Sequence, residues 1–272
     1  MRLIGLTCLA MLAFAANSVL NRMAVGSGRI DPVVFAVVRL ATGAAVLGGL
    51  LVWRGAIWPG WAGRVPGVAG LLVYLFGFSA AYLALDAGTG ALILFGVVQI
   101  TMFAGAWLSG EALPARRMVG AAGALIGLAL LLAPKGGEAV PVAAMAVAGI
   151  GWGIYSLAGR RQSDALAATA WNFVLAVPVG LGVLLVWPGQ WSGAGAALAM
   201  LSGGVTSGLG YAVWYAVVPQ LGAGRAAVAQ LSVPLVAAAG GFVAMGEVPG
   251  PRFWLAAALV LAGVAWALGR GR

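Results

Sequence analysis

Apolar residues run along this chain in long blocks, broken only by short clusters of charge, proline and glycine. An α-helix needs about 20 mostly apolar residues to cross roughly 30 Å of hydrocarbon. Cutting the chain at its arginines, prolines and glycine-rich breaks leaves ten such segments, at 3–25, 32–53, 65–85, 89–108, 117–133, 140–158, 165–187, 196–218, 225–245 and 251–268. The connections are short and leave no room for a soluble domain. The blocks also lack the polar–apolar alternation that marks the ~10-residue strands of a membrane barrel. The pattern predicts an all-α membrane protein with ten transmembrane helices. Arg2, the apolar run from Leu3 and the small residues around Ala15 also resemble a signal peptide. The segment is read as a span because it has a counterpart in the second half of the chain.

Composition supports this picture. Of 272 residues, 63% are apolar, 44 more are glycine and only 8% are charged, where soluble domains carry about 25%. The net charge of +9 is scattered, with no basic run longer than a pair, so no nucleic-acid-binding face is expected. One cysteine, Cys8, permits no internal disulfide, and the absence of histidine removes the commonest metal ligand and proton shuttle. No cofactor or metal is expected. An enzyme is disfavoured, because no His, Cys pair or intramembrane carboxylate offers a nucleophile, metal site or general base. No Gly-Lys-Ser/Thr loop is present for ATP.

Orientation follows from basic residues in the short loops. With a cytoplasmic N-terminus, Arg2, Arg54, Arg64, Arg116, Arg117, Arg160, Arg161, Arg225, Arg270 and Arg272 face the cytoplasm, against Arg22, Arg29, Lys135 and Arg252 outside. Both termini are therefore expected on the cytoplasmic side. Trp53, Trp58, Trp61, Trp107, Trp187, Trp191, Trp254 and Trp266 fall at span ends, where amphipathic rings favour the interface.

The halves resemble each other. Gly110-Glu111 parallels Gly246-Glu247, Arg116 parallels Arg252, and Phe14–Arg22 parallels Trp152–Arg160. Five spans per copy is an odd number, which predicts two inverted five-helix repeats, 1–135 and 136–272. Inverted repeats are a common plan of secondary transporters, with the site near the midplane between the halves.

Pro32-x-x-Phe35-x-x-x-Arg39 opens the second span, Gly-Glu pairs end the fourth and ninth, Pro234 lies in the ninth, and Trp152 opens W-G-x-Y-x-x-x-x-R. Together these features resemble the drug/metabolite transporter superfamily, EamA type, over nearly the whole chain. In size and helix plan the chain is similar to the YddG-like bacterial amino-acid exporters. The chain departs from the family pattern at Val98, opposite Pro234, and at Phe14, where Trp is frequent. The resemblance implies a ten-helix inner-membrane exporter of amino acids or related metabolites. Its partners would be a small-molecule substrate and the lipid bilayer, with no obligate protein partner. A neutral drug or other small metabolite is the alternative cargo.

Polar groups inside hydrocarbon cost several kcal/mol when unpaired, so the intramembrane polar and aromatic residues are the candidate site. Gln99 lies near the centre of the fourth span, with an amide that can donate and accept or simply bond a neighbouring helix. Asn17 and Asn21 are four apart and share a face of the first span, with Ser18 beside them. Trp152 and Tyr155 share a face of the sixth. Tyr74 and Phe78, then Tyr82, extend the third span's contribution, with Ser79 as a weaker candidate whose small hydroxyl equally suits close helix packing, and Tyr211 with Trp214 the eighth's. Thr206, Ser207, Gln230 and Ser232 are weaker candidates, and Tyr215 reads as an interface anchor. Arg39, seven residues past Pro32, fits either a partner for a substrate carboxylate or helix end, or a clamp on backbone carbonyls. The cavity is expected between the first, third, fourth, sixth, eighth and ninth helices, with the fifth and tenth peripheral.

Asp31, Asp86, Glu111, Glu138, Asp164 and Glu247 all fall in loops or at span ends. Proton-coupled carriers and pumps of cationic drugs place ionisable groups within the membrane. A facilitator of neutral or zwitterionic solutes by alternating access is therefore expected. Pro178 and Pro234 should kink their helices, with Pro234 as a hinge. Gly123/Gly127, Gly149/Gly153 and Gly204/Gly208 should mark close helix crossings.

Overall fold

The computed structural model describes all residues except 56, 57, 59, 111–114, 133–138, 161 and 269–272. Glu111, Glu138, Lys135, Arg161, Arg270 and Arg272 lie outside the described residues, as do the side chains of Arg116 and Arg117. The elements are α1 (Arg2–Val25), α2 (Pro32–Trp53), α3 (Arg64–Ala81), α4 (Ala87–Leu108), α5 (Ala115–Leu132), α6 (Ala139–Gly159), α7 (Ala165–Val186), α8 (Gly193–Leu201), a π-helical stretch (Ser202–Leu209), α9 (Gly210–Gln230), α10 (Val233–Met245) and α11 (Pro251–Leu268). No strand occurs among the described residues beyond an isolated bridge between Ile30 and Trp191. Among the described residues, eight helices are long and apolar enough to cross a membrane, including Gly193–Leu221 and Val228–Met245, and two shorter apolar helices accompany them. The chain is a multi-pass, all-helical membrane protein.

Two departures from the expected spans have physical causes. The third span stops at Ala81, four residues early, because the chain turns at Tyr82–Asp86 through bonds from Leu83 and Leu85 back to Ala80 and Ala81. The ninth is broken at Leu231–Ser232. Pro234 has no N–H, and its ring crowds the carbonyl of Gln230, four residues before it. α9 therefore ends at Gln230, and Leu231 and Ser232 donate three residues back. Pro178, in contrast, is carried within an unbroken α7.

The core is assembled by close helix crossings. α3 runs along α6 where Gly70 meets Gly151, and a Cβ on Gly70 would lie 2.6 Å from the Gly151 carbonyl oxygen. Of the three glycine pairs read from the sequence, Gly149 and Gly153 against α4, Gly127 against α11 and Gly208 against Val46 of α2 fall in such contacts, while Gly123 and Gly204 stand at ordinary van der Waals distance from α11 and Val46. α5 and α11 pack chiefly on each other and contribute nothing to the cavity described below. All eight span-end tryptophans are exposed.

Candidate functional site

Where α1, α3, α4, α6 and α9 meet lies a cavity of about 20 Å³, lined by Phe14, Asn17, Ser18, Tyr74, Phe78, Leu94, Phe95, Trp152 and Tyr211. Residues three and four apart on a helix share a face, which is why α1 presents Phe14, Asn17 and Ser18 together, and α3 presents Tyr74 with Phe78. The wall is a chain of ring contacts. Tyr74 meets Trp152 at 4.7 Å, Trp152 stacks on Tyr211 at 5.5 Å and 29°, and Phe14 meets Tyr211 edge-on at 5.7 Å. The space holds about one water. Ordinary ligand pockets are roughly 300–1,000 Å³, so the rings are closed together in this conformation.

Behind the rings sits a buried polar network. Arg39 is fully buried on α2; its Nε donates to Ser207 Oγ at 3.0 Å and its Nη2 to Tyr74 Oη at 2.8 Å. The guanidinium carbon lies 5.2 Å from the Tyr74 ring centre and 5.1 Å from that of Phe78, a cation–π arrangement. Nη1 is buried with no partner. Asn17 Oδ1 accepts from Ser202 Oγ at 2.8 Å, Thr206 Oγ1 at 2.6 Å and Ser207 Oγ at 3.3 Å. One asparagine thus ties α1 to the π-helical stretch, and Ser207 carries the connection on to Arg39. Glycine and hydroxyl residues are weak helix formers that offer the backbone other partners. Ser202-Gly203-Gly204-Val205-Thr206-Ser207-Gly208 is therefore where regular α-helix gives way. Mid-helix π segments are frequent at functional sites.

Residues 140–269 match the EamA-like transporter family. An uncharacterized protein of Pseudomonas aeruginosa is 46% identical, over 97% of this chain and 93% of its own. The aromatic amino acid exporter YddG of Ancylobacter novellus is 32% identical, over 78% of this chain and 77% of its own. The chain belongs to the EamA-like transporter family. A solved crystal structure at 23% identity shares the fold, with a TM-score of 0.69 over 97% of this chain and 96% of its own. Membership places this EamA-family chain among small-molecule transporters of the drug/metabolite superfamily and sets enzymatic readings aside.

The sequence-derived candidates divide into those at the cavity and those behind it. Asn17, Tyr74, Phe78, Trp152 and Tyr211 line the cavity. Trp214 meets Phe14 edge-on at 5.6 Å, and Tyr155 stacks against Trp152 at 4.8 Å, both one layer out. Asn21 donates to Ser79 Oγ at 3.1 Å, a buried tie between α1 and α3 rather than a cavity wall. Tyr82 is buried against Phe78, and its hydroxyl donates to the Ala87 carbonyl at 3.3 Å. Gln99 is buried one turn beyond Phe95 and does not reach the cavity; Gln230 is half-buried at the end of α9. Tyr215 packs on the core near Thr169 and Tyr155 instead of facing the interface. The carbonyl clamp considered for Arg39 is absent, since its partners are hydroxyls. The expected ninth span, 225–245, contributes no cavity residue. Phe14, Leu94 and Phe95 complete the lining without a polar signal in the sequence. Phe14 was legible as the residue one turn before Asn17, whereas Leu94 and Phe95 look like any core position.

At the end where α1 finishes, Arg22 Nε donates to Glu247 Oε1 at 2.8 Å and Arg22 Nη2 lies 3.8 Å from Asp86. Glu247 Oε2 accepts the Ala87 N–H at 2.8 Å, capping α4 from outside its own chain segment. The α1–α2 and α7–α8 loops join at the same end, through Asp31 with Gln190 and Ser192 with Arg29. At the opposite end, Gln162 donates to the Ala62 carbonyl and Arg54 pairs with Asp164.

Proposed function

We propose that this chain exports amino acids with neutral, chiefly apolar side chains across the bacterial inner membrane by alternating access. The observation that carries this is the buried Arg39 guanidinium, with Nη1 unpaired, directly behind an aromatic wall through Tyr74. Rings suit an apolar side chain, and a fixed cation suits a carboxylate. Ser18 and the Tyr74 hydroxyl offer acceptors to an ammonium group, whereas the Asn17 carbonyl is already taken by the π-helical hydroxyls. The name of the exporter relative supports the cargo class. No Asp or Glu is among the buried polar residues described, which supports facilitated transport without proton coupling and argues against cationic drugs.

The helix pairing supports two inverted halves, 1–135 and 136–272. α1 packs on α9 and α10 while α6 packs on α3 and α4; α2 packs on the π-helical stretch while α7 packs on α3. On this reading both termini are cytoplasmic, and the protein works without an obligate partner. Asn21, Ser79, Tyr82, Tyr155 and Trp214 support the wall from the second layer. The test is counterflow in proteoliposomes with labelled threonine, methionine and phenylalanine beside a lipophilic cation, with and without a pH gradient. Saturable amino-acid exchange that ignores the gradient is expected. Cation transport that needs the gradient would overturn the cargo and the mechanism.

Two further outcomes follow from alternating access. Glu247 links α1, α10 and the start of α4, in an ion pair and a helix cap worth together about 1–2 kcal/mol. Glu247→Ala, in a Cys8→Ser background carrying Ser18→Cys, should raise labelling by an impermeant maleimide from that end by roughly fivefold or more. An unchanged rate would remove this contact as a gate. Pro234→Ala should restore the backbone bond to Gln230, straighten the ninth span and slow exchange severalfold. A wild-type rate would remove the hinge.

A further inference from the structure

A second arginine is buried at the opposite end of the bundle. Arg64, the first residue of α3, is only 1% exposed. Its Nη1 donates to the Ala168 carbonyl at 2.6 Å and to Asn172 Oδ1 at 3.0 Å, both on α7. Its Nε is buried and has no hydrogen-bond partner. No carboxylate pairs with it among the described residues. Holding a carbonyl and an amide across two helices does not require a charge, and a guanidinium shut off from water and from any anion is costly in this setting.

A series of contacts links its surroundings to the cavity wall. Arg64 lies within electrostatic range of Tyr155. The Tyr155 hydroxyl donates to Thr169 Oγ1 at 2.8 Å, and its ring stacks on Trp152, which lines the cavity. Trp171, next to Asn172, also has a buried Nε1 without a partner, and its ring meets Trp58 at 4.8 Å. Both orphaned atoms at this end are therefore donors, and one belongs to a cation. What the orphaned Arg64 nitrogen lacks is an acceptor carrying negative charge. Tyr74, which holds Arg39, lies ten residues further along α3, about 15 Å away at 1.5 Å per residue.

We infer that Arg64, held against Asn172, forms a second carboxylate-binding station at the end of the bundle where α3 begins. A carboxylate-bearing solute then passes between Arg64 and Arg39 across the aromatic wall. Its burial closes the station to lipid headgroups. The inference rests on the reading of the chain as a carrier of such solutes.

The test uses the full chain, purified in detergent, and two probes with the same ring and opposite charge, labelled phenylacetate and labelled phenethylamine. Wild type should bind phenylacetate at least tenfold more tightly. Arg64→Gln should weaken phenylacetate binding about tenfold or more, as expected for a lost charge-assisted hydrogen bond, and Arg64→Lys by less. In proteoliposomes of fixed orientation, Arg64→Gln should raise the KM for phenylalanine from the face where α3 begins by about tenfold. The KM from the other face should stay within about twofold of wild type. A mere clamp would alter rate and thermal midpoint while leaving the two KM values in their wild-type ratio; that result, or unchanged phenylacetate binding, overturns the station. If Arg64→Gln does not fold, Arg64→Lys carries the test. A severalfold KM rise confined to that face supports the station, and an unchanged ratio overturns it. Arg64-dependent binding of phenylacetate without any amino-acid exchange would leave the station standing and remove the cargo reading.

Discussion

Arg39→Met is expected to reduce amino-acid exchange at least a hundredfold while moving the thermal midpoint by only a few degrees. The two effects separate because the guanidinium helps function more than folding. It makes two hydrogen bonds, to Ser207 and Tyr74, and bonds to charged groups are worth about 1.5–3 kcal/mol each. Against this stands the desolvation of a buried cation, which is several kcal/mol. Methionine fills much of the volume between the Tyr74 and Phe78 rings without that penalty. Replacing buried ions by apolar residues is often neutral or stabilising for the fold. Transport loses the positive charge outright. Arg39→Lys keeps the charge but not the planar fork, and should retain exchange with a KM raised roughly tenfold. Counterflow and thermal unfolding on the same preparations decide the matter. A wild-type KM in Arg39→Met would remove Arg39 from substrate binding.

Gly203→Val should leave little folded protein. A Cβ at this position would collide with the Thr42 hydroxyl and with the Arg39 backbone. α2 cannot retreat, because Gly43 on the same helix is already closed in by Phe173, whose ring would lie 2.7 Å from a Cβ there. Overpacking a well-filled core costs about 1–3 kcal/mol and sometimes more. Here the overlap is with backbone rather than with a side chain that could rotate. Gly203→Ala should already lower the thermal midpoint by several degrees, and Val should abolish the monodisperse peak in size-exclusion chromatography. Gly49, also on α2, has nothing within 4 Å of its would-be Cβ. Gly49→Ala is therefore the control and should be neutral or slightly stabilising. Equal behaviour of the two alanine variants would remove the close crossing.

Helix limits were legible where composition alone sets them: Pro32 and Pro251 open their helices as expected, and α2 runs over the residues read from the pattern. The shared faces of Asn17 with Ser18 and of Tyr74 with Phe78 were legible too, since helical periodicity decides them. Gln99 shows the limit of that reasoning. Its depth follows from its distance to the helix ends, but the direction it faces depends on which neighbour packs there. Arg39 illustrates the same point, because its partner Ser207 is 168 residues away and belongs to a stretch that leaves regular α-helix. Arg64 reads as an ordinary loop charge by position. A long side chain at a helix start can reach inward as readily as outward, and only packing against α7 selects the direction.

A bacterial membrane stores energy as a proton gradient, and a carrier that opens to each side in turn puts that store at risk. On the proposed reading, the positive charge of Arg39, held behind the aromatic wall with no carboxylate paired to it among the described residues, would repel hydronium and metal cations in the way fixed positive charges guard other narrow pathways. The same group that would greet a carboxylate would then act as insulation, letting cargo cross without discharging the membrane.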